Sequence, residues 1–389
     1  MNAQSATLES SSATPKVSLD RLLLIFFKVG SIGFGGGMAI ISIMEHELVR
    51  KRRLLSLDEF LHGVGFGQIL GSFAVNVSLF VGYRLFGVLG SILSAVAFLF
   101  PSIVLVIALS DLCFRFHAIP ALQGAVAGLS PVVIALIVEA GGSIGRRVLR
   151  SPVAFAVAVL ALGSGILKIN VLWVLLGAGV VGLIMPRSHP GPHEPASATP
   201  KQPLVMTTLA PVLAAGSLLT TVGATFLKVG FVFFGGGFLL IPVLHHRLVT
   251  DLHWLSAREF IDGVAISNLT PGPIAVLATF TGYHLAGIAG AVAATVALMA
   301  PAAVLMLAIS RQYERFRHDD HAQRLLSGLN PAITGLILST AILLGGGVFT
   351  SWQRWLFGGT CLLILRRLHW APVILLGIGA IAGYAGLLP

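Results

Sequence analysis

A lysine followed closely by three consecutive glycines, inside an apolar run, occurs twice in this chain. Lys28 precedes Gly35, Gly36 and Gly37; Lys228 precedes Gly235, Gly236 and Gly237, a shift of 200 residues. Consecutive glycines bare their backbone N–H groups, and the N-terminus of a half-helix adds a partial positive charge. A lysine held in apolar surroundings adds a full one. The two sets together describe a cradle for an anion. Asn268, Thr270 and Gly272 lie in a second pattern, Ser267-Asn-Leu-Thr-Pro-Gly-Pro273, that cannot continue a helix. Asn268 and Thr270 either donate hydrogen bonds to an oxyanion or satisfy the backbone groups that the break sets free. Gln68 is the polar residue facing this pattern in the first half. The bland alternatives are that Lys28 snorkels to the membrane edge and that the glycines serve close helix packing. Lys228 follows an uncharged run from 202 to 227, so snorkelling fits it less well.

The repeated charge is cationic. Glu59 and Glu259 are the acidic residues that recur near a segment, and each follows a serine by three positions, which reads as a capping box. A cation pathway would show paired carboxylates instead. His46 and His246 also recur, at a segment edge. No metal-ligand spacing, no H-E-x-x-H, no G-x-S-x-G and no phosphate-binding G-x-x-x-x-G-K-[ST] occurs, so neither catalysis, a metal, a cofactor nor ATP-driven transport is expected. Cys113 and Cys361 form no framework.

The elements that must position these residues are membrane helices. Of 389 residues 56% are hydrophobic and 10% charged, against about 25% charged in a soluble domain. Several runs reach the roughly 20 apolar residues that cross a bilayer. The net charge of +10 reflects basic loops rather than a nucleic-acid surface. The offset of 200 holds through Gly82-Tyr83/Gly282-Tyr283, Pro101/Pro301 and Pro131/Pro331, so the chain is a duplicated domain. Residues 1–20 read as a disordered cytoplasmic tail, 21–186 as a first transport repeat, 187–203 as a linker, 204–222 as an extra transmembrane helix and 223–389 as the second repeat.

Within each repeat the first two segments (21–44 and 59–83; 223–244 and 259–283) are broken by glycine, proline or polar residues, and about four plain segments follow. The extra crossing inverts the second repeat. Basic residues support this: Arg50–Arg53 and Arg146, Arg147 and Arg150 mark one set of loops in the first half, whereas Arg311, Arg315, Arg317, Arg324, Arg366 and Arg367 mark the other set in the second. The expectation is an all-α polytopic protein, an inverted-topology repeat with re-entrant hairpins, its N-terminus cytoplasmic and its C-terminus periplasmic. Such folds hold their cargo near the midplane. A secondary transporter and an anion channel both suit them.

The F-x-K-x-G…F-G-G-G segments, the L-S-x-x-E-F that follows each, N-x-T-P-G-P and G-Y-x-x-x-G resemble the chromate ion transporter family in its long two-domain bacterial form, over nearly the whole chain. The resemblance implies a multi-pass protein of the bacterial inner membrane that exports chromate, coupled to the proton gradient, with sulfate as the chemical look-alike. It implies an oxyanion and protons as partners beside the lipid bilayer, and leaves room for a homodimer. The matching residues are Lys28, Gly30, Phe34 to Gly37, Lys228, Gly230, Phe234 to Gly237, Asn268, Pro271, Gly272 and Pro273. One departure stands out. The first half reads Gln68-Ile-Leu-Gly-Ser-Phe73 where the family often carries Pro-Gly-Pro.

Overall fold

The computed structural model describes residues 17–34, 37–70, 72–115, 120–184, 218–232, 239–311, 320–368 and 370–388. Among them every regular element is helical. In the first half, α1 (Leu19–Ile32) ends at Gly33, and α2 (Gly37–Glu45) runs on into a π-helical turn, His46–Lys51. Lys28 Nζ lies 3.1 Å from Glu47 Oε1, although 19 residues of continuous helix would hold them about 28 Å apart. Between Gly33 and Gly37 the chain therefore folds back on itself as a helical hairpin.

The second broken segment behaves alike. α3 (Leu57–Ile69) and the start of α4 (Phe73–Arg115) are antiparallel: Gly63 lies on the ring of Phe80, and Arg84 reaches back to pair with Glu59. The chain turns back between Leu70 and Ser72. α4 itself reverses at Phe86-Gly87, where Gly87 takes a left-handed φ of 64° that a side chain would disfavour. Beyond the reversal Ser91 Oγ donates to the Leu79 carbonyl at 2.8 Å. So the arm 73–85 belongs to this second hairpin, and the arm 88–115 is long enough by itself to cross a membrane. That arm carries Leu89, Ile92, Val96, Phe100 and Val104 exposed on one stripe, the face a lipid-facing helix presents. α5 (Pro120–Val148), α6 (Pro152–Ile166) and α7 (Val171–Ile184) follow. At 15 and 14 residues, α6 and α7 are shorter than a full span.

The second half repeats this order as α8 (Leu218–Val232), α9 (Leu240–Leu244) with the π-helical His245–Asp251, α10 (Ala257–Leu269), α11 (Leu277–Arg311), α12 (Asp320–Val348), α13 (Trp352–Leu368) and α14 (Pro372–Tyr384). α11 reverses at Gly287, φ 60°, and the Thr279 and Thr295 hydroxyls meet across it at 2.7 Å. Residues 218–222, expected to end an extra crossing, instead belong to α8, the counterpart of α1. The rest of that crossing, the linker at 187–203 and the tail up to residue 16 lie outside the described residues.

The halves dock about a pseudo-two-fold axis. Along the contact between α5 and α12, Gly145 lies against Thr334, Gly141 against Leu338, and Ile134 near Gly345. The partners run in opposite order and exchange under the 200-residue shift, so equivalent helices are antiparallel. The arms agree: Asp111 accepts from the Tyr283 hydroxyl at 2.7 Å, and Ser102 donates to the Pro271 carbonyl. The arm 88–115 thus parallels the start of α11 and opposes 288–311. Antiparallel equivalents are the geometry of an inverted repeat. α5 also packs on α14 and α13, and α12 on α7 and α6. Small residues permit these approaches: Gly124 and Gly128 meet Gly379 and Gly383, and Gly328 meets Ala178 and Gly182. Among the described residues four helices are long and apolar enough to cross a membrane, Phe73–Arg115, Gln123–Arg146, Ile274–Arg311 and Gly328–Val348, the first and third of them bent back at Gly87 and Gly287. This is a polytopic helical membrane protein.

Candidate functional site

The hairpin tips converge on one another. The Gly272 amide, in the tip between α10 and α11, donates to the Gly33 carbonyl at 3.0 Å. Gly37, on the other side of the first tip, packs against the ring of Phe73, at the tip between α3 and α4. Both tips of the first half and one of the second therefore meet in one place. Gly272 needs to be glycine there. Its φ is 116°, and Ser102 Oγ occupies the space a Cβ would take.

The glycine triplets are only partly within view: Gly35, Gly36, Gly235, Gly236 and Gly237 lie outside the described residues, and Gly37 opens α2. Gln68 ends the last turn of α3, its side chain outside the description. The side chains of Asn268 and Thr270 each donate one hydrogen bond to a backbone carbonyl of α10. Asn268 Nδ2 donates to the Val264 carbonyl at 2.8 Å, and Thr270 Oγ1 to that of Ser267 at 3.1 Å.

The lysines correct the expectation of a buried charge. α1 packs Phe26, Val29 and Gly30 onto the arm 88–115, with Gly30 against the Phe98 backbone. Lys28 falls on the opposite face with Leu24 and Phe27, and its side chain is 54% exposed. It is paired with Glu47, which is buried and also bonded to Lys51 and Arg52. Lys28 is thus part of a charged knot at the mouth of the hairpin. Lys228 is exposed in the same way, but position 247 is arginine, and Arg247 pairs with Asp251 at 3.1 Å. Among the described residues Lys228 has no carboxylate partner.

Two side chains that the sequence reading left out of the cradle have the strongest claim to it. Ser72 and Asn76 are 2% and 0% exposed, and among the described residues neither the Ser72 hydroxyl nor either end of the Asn76 amide has a hydrogen-bond partner. Leaving such a group unpaired in the interior costs about 1–3 kcal/mol. They sit at the N-terminus of α4, where backbone N–H groups point out of the helix and favour negative charge. Their counterparts are Gly272 and Val276. The signal was present in the sequence: Asn76 is a polar residue in an apolar run, one turn after the tip. The expected caps also form. Glu259 and Ser256 exchange both bonds of a capping box, while Ser56 caps α3 and the Glu59 carboxylate turns to Arg84. Where these tips meet, the arrangement offers hydroxyl, amide and backbone N–H donors, the groups that a small anion accepts from. Among the described residues no cluster suited to a metal ion is present.

Comparison with known proteins agrees. The chromate transporter family model matches residues 21–183 and 220–384. The chain is 28% identical to the chromate transport protein of Cupriavidus metallidurans, over 85% of this chain and 83% of that one. It is 31% identical to the chromate transport protein of Pseudomonas aeruginosa, over 87% and 84%, and 28% identical to a probable chromate transport protein of Synechococcus elongatus, over 85% and 86%. No solved structure matches the chain.

Proposed function

We infer the function from one premise: the chain belongs to the chromate transporter family. It is a secondary transporter of a tetrahedral divalent oxyanion, and chromate is the first candidate because relatives covering most of its length carry that name. The observation that carries the reading is the unpaired, buried Ser72 and Asn76 at the N-terminus of α4. A hydroxyl, an amide and helix N–H groups are donors that an oxyanion accepts from, and the second half faces them with the backbone of its Pro-Gly-Pro tip. The glycine triplets complete the cradle, with Asn268, Thr270 and Gln68 at its edge. Lys228, without a carboxylate among the described residues, draws the anion toward the tips, whereas the knot around Glu47 holds Lys28 for structure. Transport is outward across the bacterial inner membrane and coupled to protons, with the N-terminus cytoplasmic and the C-terminus periplasmic. Asp262, inside α10 with one carboxylate oxygen unpaired, is the group suited to carry the proton.

The test is uptake of radiolabelled chromate and sulfate into everted vesicles, with and without a proton gradient, for the wild type, Asn76→Leu, Lys228→Ala and Asp262→Asn. Asn76→Leu removes a group with no partner, so the protein keeps its melting temperature and loses uptake by about tenfold or more, the equivalent of 1.4 kcal/mol. Asp262→Asn keeps binding and loses the response to the gradient. Uptake by Asn76→Leu at the wild-type rate would place the oxyanion elsewhere. Sulfate moved in preference to chromate keeps the site and changes the cargo, and wild-type flux indifferent to the gradient would make the protein a channel.

A further inference from the structure

Arg146, which ends α5, and Arg366 and Arg367, which end α13, come from different halves, about 220 positions apart, yet they line one cavity. It has a volume of about 570 Å³ and is walled by Arg146, Leu363, Arg366 and Arg367. Among the described residues one carboxylate serves these three guanidiniums: Arg146 Nη2 donates to Glu139 Oε1 at 2.6 Å. Among the described residues Arg366 and Arg367 have no acidic partner, and both are exposed. Three like charges around one cavity repel unless an anion lies between them, and guanidinium forks match the oxygens of a phosphate or similar oxyanion in pairs.

The fold alone does not require this charge. The equivalent positions at the opposite end of the molecule are Gly346, Gly163, Ile166 and Leu167, so the pseudo-symmetric site is uncharged. The surroundings are apolar and outward-facing. Leu363 in the wall is 62% exposed, and Leu368 and Trp370, just past the arginines, are 59% and 43% exposed. Trp is the residue that settles at the headgroup level. A headgroup phosphate could enter from the side while its acyl chains lie along Leu363 and Leu368.

We propose that the cavity between α5 and α13 is a binding site for a phosphate-type oxyanion, supplied by an anionic lipid headgroup, which ties the two halves together at one face of the membrane. Basic residues mark the cytoplasmic side, where anionic lipids attract them. The site stands apart from the tips and does not depend on which oxyanion is the cargo.

Native mass spectrometry of the purified full-length protein in mixed micelles tests it, with phosphatidylglycerol, cardiolipin and phosphatidylcholine in competition. The wild type retains the anionic lipids about tenfold over phosphatidylcholine, as expected for several arginines at one headgroup. Arg366→Gln/Arg367→Gln falls to parity, and Arg150→Gln, which removes a cation outside the cavity, keeps the preference. A parallel thermal melt with inorganic phosphate, without added lipid, separates the sources. Stabilisation by phosphate in the wild type alone, with no lipid preference, keeps the oxyanion site and overturns the lipid as its occupant. Parity among the lipids together with no phosphate effect overturns the site. Equal loss in Arg150→Gln also overturns it, by reducing it to general surface charge. The wild-type arms decide the question even if a variant folds poorly.

Discussion

The two halves share a backbone and differ in what they set upon it. At the tip after α3 the first half places Ser72 and Asn76, side chains with unused donors; at the matching tip the second half places Pro271, Gly272 and Pro273, with Val276 where the asparagine would be. At the hairpin mouths the contrast is of charge. Glu47 gathers Lys28, Lys51 and Arg52, whereas Arg247 turns away to Asp251 and, among the described residues, leaves Lys228 without a carboxylate. A duplicated fold thus keeps its symmetry in helix packing and gives it up where an anion would be met. One half offers side-chain donors, the other backbone and free charge.

The largest expected effect breaks this contrast at the tips. Gly272→Ala puts a methyl where Ser102 Oγ lies, on a backbone with φ of 116°, a strain of about 1–3 kcal/mol before any clash. Size-exclusion profiles and uptake should show loss of most folded, active protein, whereas Ser72→Gly should fold as the wild type does. Equal behaviour of the two variants would mean that the tips are not specialised. A middle-sized effect sharpens the contrast at the mouths. Glu47→Gln should lower the melting temperature by the equivalent of about 1–2 kcal/mol, a figure reduced because the cations around it are partly exposed. Arg247→Glu should recover some of that in the other half by giving Lys228 a partner; a lower melting temperature there would break the analogy. The smallest effect concerns the caps. Ser256→Ala should cost about 1 kcal/mol, and Ser56→Ala less, because Arg84 still holds Glu59. Thermal melts compare them directly, and a greater loss at Ser56 would reverse the assignment.

Much of the architecture was legible in the chain. The constant offset announced the duplication, the glycine run and Pro-Gly-Pro announced breaks, and the shifted arginines announced inversion. Each of these is a local property of the backbone or a count of charges. The exposure of Lys28 was not legible, because it depends on which face of α1 meets another helix, and that is settled by the contact of Gly30 with Phe98. Asn76 was visible only as a polar interruption. Its lack of partners is a statement about everything packed around it. The exchange of α5 and α12 between halves was hidden for the same reason, since a repeat shows that two units are alike but not how they dock.

That exchange has a consequence for how the protein is made. Gly124 and Gly128 of α5 are covered by Gly379 and Gly383 of α14, the last of the described helices. At a synthesis rate of about 5–20 residues per second, the first half must wait some tens of seconds in the membrane for its final neighbour. During that interval its glycine stripe faces lipid or whatever helix comes by. Loss of the last dozen residues should therefore be felt first in the half that was synthesised earliest.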